Sequence, residues 1–249
     1  MRRIAVARSK GGGGTTPPAG NLAEGLAQAE QRVRLVDGDT QGQVSKALGL
    51  QPSIGLAEVV MEDLPPDQAV LKARDGIWLL SGGRSLAGLK RVIARKDFGG
   101  EQTLAEALAP LEGRYDLVIV DTAPAWDTLT VNALFYASEV LIPVSLEVMA
   151  LQGLTEFVGS LGSVQKYHQP LTLRYIRPTL RDRRVKQSGE ILEQLQGHFS
   201  QLVCEPFRYN VRLSEAPGYG QTIFEYAPRS AGAQDYRALA ERILHDGRS

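Results

Sequence analysis

The most constraining feature of this chain of 249 residues is an alternation of short apolar segments with amphipathic segments along its whole length. Two segments, RLVD at 34–37 and LVIVD at 117–121, carry apolar runs that end in aspartate. Such runs are typical of strands buried on both faces of a parallel sheet, whose ligands bind at the carboxyl ends of the strands. The pattern predicts an α/β fold with a mostly parallel twisted sheet and helices on both faces.

The coarse segmentation follows the same alternation. Apolar stretches predict the strands RRIAVA, RVRLVDGD, GIWLLSGG, YDLVIVDTAP, EVLIPVS, LTLRYIRP and QLVCEPF. Helices are predicted between them, and the last is SAGAQDYRALAERIL, whose apolar stripe we expect to dock on the rest of the protein. Since no repeat, low-complexity tract or Pro/Ser-rich linker interrupts the chain, we predict one domain over residues 1–249.

Composition excludes several classes of protein. The formal net charge is zero, so any preference for nucleic acid must come from a local patch. The single cysteine, Cys204, excludes an intrachain disulfide framework and fits a reducing cytosol. No run of about 18 apolar residues is present, so no segment is expected to span a membrane. With Cys204 and the final helix expected to dock, the sequence predicts a cytoplasmic protein without a membrane partner.

Three features at strand ends carry the predicted chemistry. The first is the glycine-rich loop KGGGGTT at 10–16, because successive glycines let backbone N–H groups approach a phosphate at the start of a helix. The others are Asp37 and Asp39 in VDGDTQG, and Asp121 in VIVDTAP, where an acidic residue commonly holds Mg²⁺. Taken singly, the loop is also a common tight turn and each aspartate a common cap, but their order together indicates a nucleotide site.

With these motifs the chain resembles the ParA/Soj partition ATPases, relatives of MinD with a deviant Walker A motif and a P-loop NTPase-like fold. Their loop K-G-G-x-G-K-T-T corresponds to KGGGGTTP, their D-x-D-P-Q-G-N to DGDTQGQ, and their D-x-P-P to DTAP. The segments LTVNALFYA, EVLIPVSLEVMALQGL and NVRLSEAPGYGQTIFEYAPRSAGAQDY resemble further family motifs, so the resemblance covers the whole chain.

The resemblance implies a role for each matching residue. Lys10 would reach the phosphates across a dimer, and Asp39 would position the attacking water. The nucleotide phosphates, of ATP or ADP, would be held by Gly11, Gly12, Gly13, Gly14, Thr15 and Thr16. Magnesium would be bound by Thr16, Asp37 and Asp121.

Three positions depart from the family pattern. Thr15 replaces the second lysine of the loop, Pro17 replaces its final threonine, and Arg208 stands where a proline usually lies near the adenine. A threonine supplies no charge to the phosphates, and proline has no N–H. We therefore favour a degenerate ATPase with weak or lost nucleotide binding and impaired hydrolysis. In the alternative, Arg8 or Lys10 supplies the missing charge.

A basic stretch, RYIRPTLRDRRVK at 174–186, contrasts with the neutral total charge. The alternative to a functional patch is a solvated loop and helix start. The resemblance implies non-specific binding of DNA phosphates, which weakens with salt. The predicted DNA-binding residues are Arg181, Arg183, Arg184, Lys186 and Arg212.

Together these observations predict a ParA-type partition protein that binds DNA as a homodimer, associates with the nucleoid and works with a ParB-like centromere-binding protein. One alternative is a non-hydrolysing, DNA-associated module that keeps the ATPase fold. A MinD-like regulator is a further alternative, which would require the final helix to anchor a membrane.

Overall fold

The computed structural model describes residues 1–8, 18–181 and 184–247. Within these residues the chain forms one sheet of seven strands in the order β3-β4-β2-β5-β1-β6-β7. The strands are β1 (Arg2–Val6), β2 (Val33–Asp37), β3 (Val70–Arg74), β4 (Ile77–Leu80), β5 (Leu117–Asp121), β6 (Glu139–Ser145) and β7 (Thr172–Thr179).

All neighbouring strands are parallel except β3, which pairs antiparallel with β4 at one edge. Every residue of β2 and β5 is buried, as expected for central strands covered on both faces. The predicted α/β architecture is therefore confirmed.

The described residues also form twelve α-helices, with short 3₁₀ turns beside some of them. Their bounds are α1 (Pro18–Ala27), α2 (Gln43–Ala47), α3 (Leu56–Met61), α4 (Pro66–Ala69), α5 (Leu86–Ala94), α6 (Thr103–Leu108), α7 (Thr128–Tyr136), α8 (Val148–Gln165), α9 (Lys186–Phe199), α10 (Arg212–Glu215), α11 (Ile223–Tyr226) and α12 (Ala231–Asp246).

The last helix packs on the sheet layer as its apolar stripe predicts. Tyr236, Leu239 and Ile243 of α12 lie in the same buried cluster as Leu22 and Leu26 of α1. Ser230 caps α12 by accepting a hydrogen bond from the Ala233 amide at 3.3 Å. Among the described residues, no helix combines the length and apolar character that crossing a bilayer requires.

Two predictions about strands were wrong. The segment QLVCEPF is not a strand: residues Ser200–Leu202 form a 3₁₀ turn, and a single bridge joins Val203 to Ile176 of β7. Pro206 has no N–H with which to continue a ladder. Conversely, the edge strand β3 was missed, because its half-exposed sequence VLKAR lacks a clear apolar pattern.

Candidate functional site

The candidate site lies at the carboxyl ends of β2 and β5. Asp37 and Asp121 are register partners on these adjacent strands, and both are fully buried. The ends of parallel strands meet at one edge of the sheet, so the two predicted acidic tips lie side by side. Asp39 follows in the turn after β2 and is also buried.

Backbone amides hold the carboxylate of Asp37. Its Oδ1 accepts a hydrogen bond from the Asp39 amide at 3.0 Å, and its Oδ2 accepts one from the Val44 amide at 3.1 Å. Burial raises the pKa of Asp37 to about 6, although these two backbone hydrogen bonds act in the opposite direction. Asp37 therefore joins the strand end to the first turn of α2 and fixes the loop that carries Asp39.

The turn around Asp39 is held from several sides. Asp39 Oδ1 accepts a hydrogen bond from the Gln41 amide at 2.9 Å, while its carbonyl accepts bonds from the amides of Gly42 and Gly83. The Gly38 amide donates to the Asp121 carbonyl at 2.8 Å. These contacts place the Asp39 side chain toward the end of β5.

Arg8 lies between the two acidic tips. Its Nη2 is 3.1 Å from Asp121 Oδ2 and 3.5 Å from Asp39 Oδ2, and its Nε donates to the Thr122 carbonyl at 3.0 Å. The Arg8 side chain is only 9% exposed. A cation from the end of β1 thus bridges carboxylates from the ends of β2 and β5.

Asp121 keeps one unused oxygen. Its Oδ1 is buried and has no hydrogen-bond partner among the residues that the structure describes. Burial raises the pKa of Asp121 to about 7, while the neighbouring Arg8 opposes that shift. A buried carboxylate oxygen with a free acceptor site suits a hard cation such as Mg²⁺.

Several predicted site residues lie outside the described residues. These are Lys10, Gly11, Gly12, Gly13, Gly14, Thr15, Thr16 and Arg183, together with Pro17. Within 1–8, 18–181 and 184–247, no group of three or more His, Cys, Asp or Glu side chains forms a metal cage.

The predicted DNA-binding residues that the structure describes follow the carboxyl end of β7. Arg184, Lys186 and Arg212 are exposed, whereas Arg181 is half-buried. The Arg181 amide donates to the Phe207 carbonyl at 2.9 Å, and the Tyr209 amide donates to the Arg181 carbonyl at 3.1 Å. These bonds bring the basic stretch beside the segment that leads into Arg212.

One arginine of the basic stretch is not on the surface. Arg177 is 5% exposed, and its guanidinium lies 4.5 Å from the Phe207 ring centre and donates to the Tyr236 hydroxyl at 3.0 Å. Burial raises the pKa of Asp121, and Arg177 opposes that shift to a smaller extent than Arg8 does. Arg177 is buried because it lies on β7. In the sequence, the apolar residues of LRYIRP are the signal that could have predicted this burial.

Comparisons with known proteins agree with the motifs. A family model described as an AAA domain matches residues 1–173. The chromosome-partitioning ATPase Soj of Thermus thermophilus is 39% identical over 246 residues, covering 98% of this chain and 96% of Soj. The chromosome partitioning protein ParA of Myxococcus xanthus is 35% identical, covering 98% of this chain and 88% of ParA. The chain belongs to the ParA/Soj family.

Solved structures place this ParA/Soj-family chain in the same fold. A protein named cobyrinic acid a,c-diamide synthase from Mycobacterium smegmatis, with bound ADP and magnesium, superposes with a TM-score of 0.86 at 30% identity, covering 100% of this chain and 96% of that one. MinD of Pyrococcus horikoshii, complexed with Mg-ADP, gives a TM-score of 0.80 at 22% identity, covering 97% and 95%. The MinD likeness shows the fold alone.

Arg208, the third departure from the ParA/Soj pattern, is anchored to α12. Its guanidinium binds the Asp235 carboxylate with a shortest distance of 2.6 Å and donates to the Ala231 carbonyl at 3.1 Å. The Arg208 amide also donates to Asp235 at 2.9 Å. These contacts join the segment after β7 to the start of the last helix.

Proposed function

We propose that this chain is a ParA-type DNA partition protein. The observation that carries the proposal is the similarity to named chromosome-partitioning proteins over nearly the whole chain. Buried Asp37, Asp39 and Asp121 at one edge of the sheet support it, because this edge is where a P-loop fold acts on nucleotide.

The ligand of the strand ends is ATP or ADP with Mg²⁺. Thr16, Asp37 and Asp121 would hold the metal, which supplies neutralisation of phosphate charge when it is bound. The unused Oδ1 of Asp121 supports this assignment. Asp39 orients the attacking water, and Lys10 with the glycines of the loop binds phosphates.

Hydrolysis is impaired in this proposal because of Thr15. A hydroxyl replaces the lysine charge that the family directs at the phosphates, and losing one such donor costs roughly 2.7–4 kcal/mol of transition-state stabilisation. That is about a hundredfold or more in rate. The second candidate is a DNA-associated module without turnover, which the same residue favours.

Titration with ATP and Mg²⁺, followed by turnover measurements, tests this role of Thr15. We expect Thr15→Lys to bind ATP more tightly and to hydrolyse it at least about a hundredfold faster than the wild type. The matched control is Thr155→Lys on the exposed face of α8, which makes the same chemical change away from the strand ends. Unchanged affinity and turnover in Thr15→Lys would show that Thr15 does not disable the site.

DNA is the proposed macromolecular ligand, bound without sequence preference by a homodimer on the nucleoid. Exposed Arg184, Lys186 and Arg212 support this, together with exposed Tyr209, whose amide donates to the Arg181 carbonyl. Lysine and arginine contacts to phosphates supply most of the affinity in such binding. A ParB-like protein is the proposed partner, and the ATPase rate with and without DNA and partner separates a partition ATPase from the module without turnover.

A gel-shift assay at low salt tests the DNA surface. We expect the double charge reversal Arg183→Glu and Arg212→Glu to abolish retention of DNA. The control reverses two exposed arginines at the C-terminal end of α5, Arg91→Glu and Arg95→Glu, so that the net charge changes equally. Retention at the wild-type level in the first variant would exclude this patch, and loss in both would indicate a global charge effect.

A further inference from the structure

Arg8 contacts two carboxylates that are distant from it in the sequence. It follows β1, yet its guanidinium binds Asp121 and Asp39 through the same Nη2 atom, at 3.1 and 3.5 Å. Its Nε donates a hydrogen bond to the Thr122 carbonyl at 3.0 Å. The side chain is thereby held at the centre of the strand-end site.

Arg8 binds the same carboxylate that is proposed to hold the metal. Asp121 is fully buried and offers Oδ2 to Arg8, while its Oδ1 has no partner within the described parts of the chain. A divalent ion that bound Asp121 would have to share this carboxylate with a fixed positive charge.

Arg8 also has room to leave. A cavity of about 150 Å³ adjoins its side chain and is lined by Trp126, Phe157 and Glu156. Glu156 is among the residues that line this cavity, so a displaced Arg8 would have an acidic residue nearby.

We propose that Arg8 is a built-in counter-ion that competes with the divalent cation for Asp121. With Arg8 in place, the charge of Asp121 is offset from within the chain and the affinity for a free divalent ion is low. Displacement of Arg8 from the carboxylates opens the site to the metal. This inference deepens the proposed function, because it concerns how the same site is regulated.

A titration of the nucleotide-free protein with Mn²⁺ alone tests the proposal. Electron paramagnetic resonance of the free ion measures how much Mn²⁺ is bound. We expect Arg8→Gln to bind Mn²⁺ about tenfold or more tightly than the wild type, the size of effect that one neighbouring charge has on a carboxylate. The control Arg3→Gln removes an arginine that pairs with Glu112 at the surface, and it should bind like the wild type.

Melting temperature gives a second readout on the same samples. Arg8→Gln should melt below the wild type without Mn²⁺ and recover when Mn²⁺ is added, since the metal replaces the lost positive charge. Mn²⁺ should leave the wild-type melting temperature nearly unchanged. Equal Mn²⁺ affinity and equal Mn²⁺ response in the two proteins would overturn the proposal.

A second variant covers the case in which Arg8→Gln does not fold. Arg8→Lys keeps the charge but loses the planar fork whose Nε and Nη2 reach the Thr122 carbonyl and Asp121 together, so we expect it to hold Asp121 less firmly and to bind Mn²⁺ more tightly than the wild type. Wild-type affinity in Arg8→Lys would then overturn the proposal. None of these measurements involves DNA, ATP turnover or a partner protein, so their failure is distinguishable from failure of the partition function.

Discussion

Gly82 packs directly against the backbone of Asp37. A Cβ atom at Gly82 would lie 2.4 Å from the Asp37 carbonyl oxygen and 2.8 Å from that of Asp39. The loop after β4 therefore lies against the acidic turn after β2 so closely that only a hydrogen is tolerated. This contact holds Asp39 beside the end of β5.

We predict that Gly82→Ala destabilises the protein and displaces the acidic turn. Inserting a methyl group into a packed backbone contact costs about 1–3 kcal/mol. Urea unfolding measures the free energy change. The control is Gly159→Ala on the exposed face of α8, where a Cβ meets nothing within 4 Å. There the change should be neutral or stabilising by about 0.5–1 kcal/mol, so equal effects in both variants would refute the close contact.

Asp127 is expected to give α7 a pH-dependent stability. It caps the helix by accepting bonds from the amides of Leu129 at 3.1 Å and Thr130 at 3.0 Å, and it pairs with Lys90. Burial raises its pKa, but the hydrogen bond from Lys90 and the two amide bonds outweigh burial, so the pKa lies below the ordinary 3.8. The stabilisation is thus present above pH 3.8 and lost as the pH falls through the lower folded-state pKa.

The variant Asp127→Asn isolates the charge, because asparagine still caps a helix. We expect it to lower the free energy of unfolding by about 0.5–1 kcal/mol at neutral pH. The difference from the wild type should shrink in acid. Denaturant unfolding across pH measures it, with the exposed Asp97→Asn as control. A difference that stayed constant into acid would mean that the charge of Asp127 contributes nothing.

Asn132 is expected to be a buried structural link. Its Oδ1 accepts a bond from the Leu104 amide at 3.1 Å, and its Nδ2 donates to the carbonyls of Gly100 and Thr128, both at 3.0 Å. Asn132→Ala should cost about 1–3 kcal/mol, because buried groups lose their partners. The control is Gln152→Ala on the exposed face of α8. Its free energy of unfolding in urea should stay within about 0.5 kcal/mol of the wild-type value. If Asn132→Ala lost no more stability than Gln152→Ala, Asn132 would not have this structural role.

Salt dependence should report whether Arg212 binds DNA phosphates. For each phosphate that the protein no longer neutralises, the slope of log affinity against log salt becomes shallower by about 0.9. Fluorescence anisotropy with a labelled duplex at several salt concentrations measures the slope for Arg212→Ala, with Arg91→Ala as control. An unchanged slope with Arg212→Ala would mean that this side chain does not touch phosphate.

The sequence by itself determined the fold class and which carboxylates lie at the strand ends. Apolar runs ending in Asp37 and Asp121 are local patterns, and parallel strands bring their carboxyl ends together wherever the chain leads between them. The apolar stripe of α12 could also be predicted, because helical periodicity is encoded within a few turns.

Only the tertiary structure decided how charges and edges are arranged. It selected Arg8 as the partner of Asp39 and Asp121, buried Arg177 against Phe207, and made QLVCEPF an irregular segment while VLKAR became a strand. These outcomes depend on contacts between residues far apart in the chain, which no local periodicity encodes. A long arginine side chain in particular takes its position from the carboxylates and rings around it, and the fold alone brings those groups together.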